Sequence, residues 1–395
     1  MLRDFNFMVN TRFIFGHGAH RKAGTELAAR GCSKVLICHD SGPFLYSSGL
    51  LDQIKKDFVD AGITPYELPD IVPNPRLSKV YEGIELARRE GIDWTLGLGG
   101  GSSIDTAKAV AAGVPYDGDV WDFFCGKAVI KEALPIAVIL TCPATGSESG
   151  AVSVINNAEI KVKALTSNDL IRPTISFMNP ELSLSLPPYT TACGVVDMFS
   201  HIMERYFTDD DELNVIDYMA EGLMKTVVTY GRAVHKDPQD YDARAQIMWI
   251  GTVAHNNTVG VGRNQDWSVH NIANELSALY DTPHGATLSI ITPYWMKYVY
   301  KEHLWRFERF AEKVFDIPHG DDPEKTALAG IEACTGFFRE LGMPTRFSEN
   351  RVEIPTDKLD VMSRTASRAY GSDVIGSFKV LNYDDILTIF KAAAH

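Results

Sequence analysis

The sequence lacks the features that would place it in or across a membrane. Its 395 residues contain no apolar run of roughly eighteen or more, so no membrane-spanning helix is expected. The first residues, MLRDFNFMVNTRFIFG, mix acidic and polar side chains with apolar ones and lack the basic start and continuous apolar core of a secretory signal. We therefore expect a cytoplasmic protein with no membrane partner.

Paired cysteines and basic clusters are also absent. The six cysteines form no C-x-x-C pair, which argues against a disulfide scaffold and against a cysteine-based zinc site. The formal net charge is −13 and no basic run occurs, so nucleic acid is not expected as a partner. A dinucleotide remains compatible with this charge, because backbone N–H groups at a helix N-terminus bind phosphate without basic side chains.

Strand-like and helix-like segments alternate through the first half of the chain. Buried-strand patterns cover residues 34–40, 63–69, 94–100, 135–141 and 174–178, and helical patterns cover 49–62, 76–91 and 105–112. Such alternation predicts an α/β domain whose parallel sheet is covered by helices on both faces.

The second half of the chain has helical patterns and few strand signals. The predicted helices cover residues 189–207, 212–235, 241–258, 267–280, 300–315, 323–341 and 355–370. A double proline at 187–188 is a plausible hinge, because proline ends regular structure and restricts the residue before it. We therefore expect an α/β nucleotide-binding domain over residues 1–186 and an all-helical, metal-binding domain over residues 187–395.

A glycine-rich turn, GLGGGSSIDTAKA (97–109), joins a predicted strand to a predicted helix. Its glycines allow the backbone to approach a ligand closely, and Ser102 and Ser103 occupy the expected N-cap of the helix. The N–H groups of that helix then point at a ligand above the end of the strand, typically a pyrophosphate. The pattern differs from G-x-G-x-x-G, and a turn without any ligand is an equally good interpretation of these residues alone.

Two further segments fit a dinucleotide. Asp40 ends the predicted strand KVLICH, where a carboxylate accepts hydrogen bonds from an adenosine ribose and repels a 2′-phosphate, which favours NAD over NADP. An aspartate that caps the following turn is the alternative. The small-residue loop TCPATGSESG (141–150) follows another strand and offers hydroxyl and backbone donors to phosphate or to the nicotinamide amide.

Two pairs of residues suggest a metal site. Asp197 and His201 lie four apart in a predicted helix and so share one face. His270 starts another helical segment, and His284 follows a Thr-Pro turn. Each pair alone is more typical of structural contacts than of a metal site. Together, one carboxylate and three imidazoles suit Fe²⁺ or Zn²⁺ better than Mg²⁺ or Ca²⁺, which prefer more oxygen ligands.

The flanking residues add a family resemblance. The chain resembles the iron-containing alcohol dehydrogenase family, in four segments above all: GGGSSIDTAK (99–108), PATGSE (143–148), GVVDMFSHIMERY (194–206) and HNIANELSALYDTPHGA (270–286). The resemblance runs from residues 13–19 to 378–393, which is essentially the whole chain. The block DWSVHNIANELS (266–277) is most similar to the butanol-dehydrogenase-like branch.

The resemblance implies a dehydroquinate synthase-like architecture and a usually dimeric enzyme with its active site between two domains. It implies that Asp197, His201, His270 and His284 are the metal ligands and the catalytic residues. It also assigns the cofactor site to eleven residues: Asp40, Asn74, Gly100, Gly101, Ser102, Ser103, Asp105, Thr141, Thr145, Ser147 and Lys163.

Two positions depart from the family pattern. Asn274 stands four residues after His270, where many members have a histidine close to the substrate, so a proton relay through that side chain is not expected. Asn179 stands where the family usually has an aspartate near the nicotinamide ribose. Neither departure removes a predicted metal ligand.

The expected function is hydride transfer between NAD(H) and a small primary alcohol or aldehyde. The enzyme is expected to be a metal-dependent homodimer. The resemblance favours Fe²⁺ as the metal, and Zn²⁺ is an open alternative. A polyol dehydrogenase acting on glycerol or a diol is the main alternative, since it has the same reaction type. A lyase relative is less favoured, because the metal-bearing segments lack the basic groups that a phosphorylated acid needs. An NAD-binding regulatory protein would not need all four ligands.

Overall fold

The computed structural model describes residues 2–160, 162–369 and 371–395 of the chain. These residues fall into two units. One spans residues 8–186, and the other spans 187–395 together with the residues that precede Met8.

The first unit is built on a parallel sheet. Its strands are, in chain order, β1 (Arg12–Phe15), β2 (Lys34–His39), β3 (Thr64–Leu68), β4 (Trp94–Gly99), β5 (Ile136–Leu140), β6 (Val152–Asn157), β7 (Val162–Ser167) and β8 (Ile175–Met178). Six of them form one sheet in the order β1-β8-β5-β4-β2-β3, and every neighbouring pair is parallel, as predicted. The antiparallel hairpin of β6 and β7 is separate and was not predicted, because polar residues interrupt both strands.

Helices cover both faces of this sheet. They are α1 (Ala23–Ala28), α2 (Pro43–Ser47), α3 (Leu50–Asp60), α4 (Leu77–Glu90), α5 (Gly101–Gly113) and α6 (Trp121–Phe124). Strand β2 shows the two faces, since successive side chains in a strand point in opposite directions. Val35 and Ile37 pack into a core with α3, whereas Leu36 and Cys38 pack into another core with α4.

Helix α5 begins earlier than the sequence predicts. It starts at Gly101 and has Gly100 as its N-cap, and no side chain caps it. The expectation that Ser102 or Ser103 forms the N-cap is therefore wrong: both serines lie inside the first turn. Because the glycines themselves end the strand and start the helix, the free N–H groups of α5 follow β4 directly.

The strand order reverses between β2 and β4. The chain places β3 on one side of β2 and then β4 on its other side, with His39 level with Leu98. Asp40 and the glycine turn therefore follow two neighbouring strands at the same edge. In parallel sheets with helices on both faces, ligands bind outside the carboxyl ends of the strands at such a reversal.

The second unit is helical. Its helices are α7 (Pro188–Tyr206), α8 (Val215–Lys236), α9 (Tyr241–His255), α10 (Ser268–Tyr280), α11 (His284–Val299), α12 (Leu304–Phe315), α13 (Pro323–Glu340), α14 (Leu359–Ser367) and α15 (Tyr383–Ala394). Within its described residues the only β-pairing is an isolated bridge between Ile375 and Leu381. Pro187 is the N-cap of α7 and Pro188 is its first residue. A backbone N–H at the start of a helix has no partner within the helix, so proline is tolerated there.

Two helices of this unit were not predicted. Helix α11 has Pro293 in its interior and is buried along most of its length, so it shows no alternation between an apolar and a polar face. Helix α15 begins with a capping box between Asn382 and Asp385, a signal that the sequence does carry. The predicted helix over 355–370 is shorter than expected, and its final position lies outside the described residues. No helix in the described ranges combines the length and the apolar character needed to cross a bilayer.

Two glycines of helix α13 make the packing of this unit testable. A Cβ on Gly330 would lie 2.5 Å from Cβ and 2.9 Å from Cα of Ala311 on α12, whereas a Cβ on Gly336 would meet nothing within 4 Å. We expect Gly330→Ala to destabilise the protein by about 1–3 kcal/mol through overpacking. The matched variant Gly336→Ala should stabilise it by about 0.5–1 kcal/mol, because glycine is the weaker helix former. Urea unfolding of both variants measures the difference, and equal effects would contradict the close helix contact.

Candidate functional site

Helix α7 supplies the first two candidate metal ligands. Asp197 and His201 are one turn apart on the same face, and both are buried. Nε2 of His201 lies 3.2 Å from Oδ1 of Asp197. The carboxylate oxygen and the imidazole nitrogen therefore face each other across a short gap inside the helical unit.

Two more histidines approach the same carboxylate oxygen from other helices. Nε2 of His270, on α10, lies 3.7 Å from Oδ1 of Asp197, and Nε2 of His284, the first residue of α11, lies 3.9 Å from it. Gly285 permits this approach, since a Cβ there would lie 2.2 Å from the carbonyl oxygen of Cys193 on α7. All four predicted ligands thus come together at one place.

The geometry fits a divalent ion. Ligands bound at about 2.1 Å in a tetrahedral site lie roughly 3.4 Å from one another, close to the separations found here. Oδ1 of Asp197 and Nε2 of His270 are buried and form no hydrogen bond with any described residue. Ligand atoms of Asp197, His201 and His270 all lie within 4.8 Å of one another. His284 stands slightly outside that group, and its side chain is the most exposed of the four at 24%.

Glu204 orients His270, and the sequence interpretation did not identify it. One oxygen, Oε1, accepts hydrogen bonds from the backbone N–H groups of Val269 and His270, at 2.7 and 3.2 Å. The other oxygen accepts a hydrogen bond from Nδ1 of His270. A carboxylate on the far nitrogen of a metal-binding imidazole fixes its tautomer and leaves Nε2 free to bind the metal. The signal was present in the sequence, because Asp197, His201 and Glu204 follow the i, i+4, i+7 spacing of one helix face.

The charges in this centre favour a cation. Burial by itself raises the pKa of the Asp197 carboxyl, but the three histidines outweigh burial and hold that pKa well below its usual range. Burial lowers the pKa of His201 to about 4, so this imidazole is neutral and able to bind a metal. Burial would also lower the pKa of His270, but Glu204 and Asp197 outweigh it and raise the pKa to about 9. Without a metal, a proton on His270 offsets one of these two carboxylate charges.

Three other side chains surround the centre. The ring of His255 lies 4.5 Å from that of His201 between centroids. Trp267 packs against the rings of His201 and His270, at 5.6 and 5.2 Å, and the guanidinium of Arg205 lies 4.5 Å over its indole. These contacts restrict the movement of the two imidazole rings.

In the α/β unit, most of the candidate cofactor residues lie near the point where the strand order reverses. Oδ1 of Asp40 accepts a hydrogen bond of 2.6 Å from the N–H of Gly42, and Oδ2 lies next to Gly99. Asp40 thus caps the turn after β2, which was the structural alternative, and also faces the glycine turn.

The glycine turn and the second loop are packed against each other. A Cβ on Gly101 would lie 2.6 Å from Oγ1 of Thr145, and a Cβ on Gly100 would lie 3.1 Å from Cβ of Cys142. The N–H of Thr141 donates to the carbonyl of Gly99 at 3.0 Å. Only glycine permits so close an approach of the two segments.

Asp105 and Ser147 are brought into direct contact. Oγ of Ser147 donates to Oδ1 of Asp105 at 2.6 Å, and the N–H of Val154 donates to Oδ2 at 3.0 Å. Burial raises the pKa of the Asp105 carboxyl despite the opposing charge of Lys108. Both carboxylate oxygens are engaged, so Asp105 holds the loop whether or not it also contacts a nucleotide.

Asn74 and Lys163 form a separate group. Nζ of Lys163 donates to Oδ1 of Asn74 at 3.2 Å, and Asn74 has a φ of 56°. Lys163 lies within strand β7. Asn179 caps the short helix Pro180–Ser183 and bonds to Glu181 and His20, so it has structural partners of its own.

Comparison with known families and proteins matches both units. The model of the family described as "Iron-containing alcohol dehydrogenase" matches residues 10–180, and that of "Fe-containing alcohol dehydrogenase family, C-terminal" matches residues 191–394.

Curated relatives and solved structures resemble the chain over its full length. NADH-dependent butanol dehydrogenase A of Clostridium acetobutylicum is 37% identical over 389 residues, which covers 98% of this chain and 99% of the relative. NADPH-dependent aldehyde reductase YqhD of Escherichia coli is 35% identical over 88% of this chain and 89% of its own. The crystal structure of NADH-dependent butanol dehydrogenase A from Thermotoga maritima has a TM-score of 0.94 and 38% identity, and covers 100% of this chain and 99% of its own.

The role of Glu204 is testable without measuring catalysis. Glu204→Gln keeps Oε1 as an acceptor but places an N–H group where His270 needs an acceptor. We expect metal binding to weaken by about 10–100-fold, the usual effect of removing such a partner of a metal-binding histidine. Titration of metal-depleted protein with Zn²⁺ measures the affinity. Glu221→Gln is the matched control, since Glu221 is buried in the same unit and pairs with Arg309. Equal metal affinity in the two variants would contradict the role of Glu204.

Proposed function

We infer the function from one premise: the chain belongs to the iron-containing alcohol dehydrogenase family. We propose that it is a metal-dependent alcohol dehydrogenase, or aldehyde reductase in the opposite direction, that acts in the cytoplasm as a homodimer. The substrate would be a small primary alcohol or aldehyde, and the hydride would move to or from NAD(H). The observation that carries this proposal is the convergence of three imidazole nitrogens on Oδ1 of Asp197.

The names of the relatives support the substrate class. The proteins that match this chain over its whole length at 35–37% identity are described as butanol dehydrogenases. Another, at 35% identity, is described as an aldehyde reductase. We therefore propose short primary alcohols and their aldehydes as substrates, and butanal as the first compound to test.

The donor set supports Fe²⁺ as the metal, with Zn²⁺ the alternative. Three imidazoles and one carboxylate suit a borderline divalent ion, and the family name specifies iron. When bound, the metal supplies Lewis-acid polarisation of the alcohol or carbonyl oxygen, and the nicotinamide supplies the hydride acceptor or donor. Glu204 holds the proton of His270 on Nδ1, so Nε2 presents its lone pair to the centre. His201 stays neutral because it is buried.

Proton transfer cannot use residue 274. Asn274 lies on α10 one turn after His270, and an amide does not titrate. We propose that the alcohol proton leaves through a ribose hydroxyl or through water, with no protein nucleophile in the reaction.

Metal removal tests the centre. We expect exhaustive chelation to abolish butanal reduction and added Fe²⁺ or Zn²⁺ to restore it, because the oxygen of the substrate then loses and regains its polarisation. His270→Ala should abolish metal binding and activity and leave NADH binding unchanged, since the nucleotide residues belong to the other unit. His235→Ala, an exposed histidine of α8, is the control. Full activity in protein shown to contain no metal would refute the mechanism.

Asp40 predicts the choice of cofactor. We propose a preference for NADH, because the Asp40 carboxylate would repel the 2′-phosphate of NADPH. Asp40→Asn retains Oδ1 for the N–H of Gly42 and removes the charge, so the ratio of kcat/KM for NADH to that for NADPH should fall several-fold. Asp52→Asn, on the exposed side of α3, should leave the ratio unchanged. A wild-type preference for NADPH would overturn the assignment.

A further inference from the structure

We propose that Lys108 is a positioning residue for the nucleotide, which ties the loop at residues 141–152 to the helix that starts at the glycine turn. This inference rests on the proposed NAD(H) site. Neither the sequence motifs nor the predicted cofactor residues assign Lys108 any role.

The ammonium of Lys108 is fully buried, and its hydrogen bonds are complete. Its side chain has no exposed surface. Nζ donates to Oγ of Ser147 at 2.7 Å, to the carbonyl of Gly150 at 2.9 Å and to the carbonyl of Val152 at 2.9 Å. An ammonium has three protons to donate, and all three go to the loop and to the start of strand β6.

A buried ammonium is costly unless charges and hydrogen bonds compensate for it. Asp105 lies one turn earlier on α5, and Ser147 connects the two, since its hydroxyl donates to Asp105 and accepts from Lys108. Glu148 adds a second nearby negative charge. Burial still lowers the pKa of Lys108 to about 8. The charge is therefore retained by a specific network and not by solvent.

Lys108 belongs to a row of residues on α5 that contacts the second loop along its length. Gly101, Asp105 and Lys108 follow the i, i+4, i+7 pattern, so they lie along one face of the helix. Gly101 approaches Thr145, Asp105 bonds to Ser147, and Lys108 bonds to the loop beyond it. The end of this row nearest the sheet edge is the N-terminus of α5, where the phosphate would bind.

Loss of Lys108 should weaken binding of the nucleotide more than it affects the hydride-transfer step. If Lys108 is removed, the loop loses three hydrogen bonds, and its hydroxyl and backbone donors are no longer held beside the glycine turn. The metal ligands lie in the other unit and make no use of this network. Nucleotide binding should weaken while metal binding stays intact.

The test is Lys108→Met, which keeps the length and apolar stem of the side chain and removes the ammonium. We expect the Kd for NADH, measured by fluorescence titration, and the KM for NADH to rise about tenfold or more, as the loss of hydrogen bonds to a charged group predicts. Metal content and kcat at saturating NADH should stay at the wild-type level. An unchanged Kd in the folded variant would overturn the proposal.

Val110→Ala is the matched control for a general loss of stability. Val110 is a fully buried residue of the same helix, but it faces α4, where a Cβ on Gly83 would lie 2.6 Å from its Cγ2. We expect this variant to be less stable yet to bind NADH normally. If Val110→Ala weakens NADH binding as much as Lys108→Met does, Lys108 acts through stability alone and the proposal is wrong.

A second variant covers the case in which Lys108→Met does not fold, because that change leaves Asp105 buried without its counter-charge. The double variant Lys108→Met/Asp105→Asn removes both charges together, and the same rise in Kd is expected when it is compared with Asp105→Asn alone. Failure of both variants to fold would make Lys108 a stability residue and overturn the positioning role. Wild-type protein that does not bind NADH would instead overturn the proposed function, so the two failures are distinguishable.

Discussion

The candidate metal centre depends on the hydrogen bonds of one buried carboxylate, Glu204. This side chain joins helix α7 to the first turn of α10, 66 residues later in the chain, by accepting two backbone N–H groups and the imidazole N–H of His270. Because Glu204 shares a helix face with Asp197 and His201, a single helix carries two candidate ligands and orients a third. A negative charge is tolerated in this position, since the N-terminus of α10 and its free N–H groups favour an anion.

In the α/β unit, a buried side chain of the opposite charge also joins two distant segments of the chain. There the buried group is the ammonium of Lys108, which is satisfied by carbonyls and a hydroxyl of a loop about 40 residues later in the chain. In both units a charged side chain on a helix holds a segment that is distant in sequence. Removing one partner of such a contact leaves a buried charge uncompensated, which is strongly destabilising.

Much of this architecture could be predicted from the sequence. The sheet strands and most helices follow from hydrophobic periodicity, because burial on one face or on two imposes a regular spacing. The four ligands required the family resemblance, since Asp197 and His201 alone have the spacing of any helix contact. Helix α11 was not predictable in this way, because it is buried on all sides and contains Pro293. The N-cap of α5 was wrongly assigned to the serines, since their hydrogen-bonding ability says nothing about where the backbone turns.

The role of Glu204 was the hardest to predict, because it depends on a contact between distant segments, yet it decides the charge of the centre. Asp197 and Glu204 contribute two buried negative charges, and the imidazoles that bind a metal are neutral. Arg205 and Asp266, which both lie close enough to interact with Glu204, are opposite in sign and offset each other. Two carboxylates would balance the charge of a divalent ion, so the buried group would be neutral with a divalent cation bound and would carry an uncompensated charge with a trivalent one. Because an uncompensated charge is costly in a buried site, these residues fit a divalent cation better than a trivalent one.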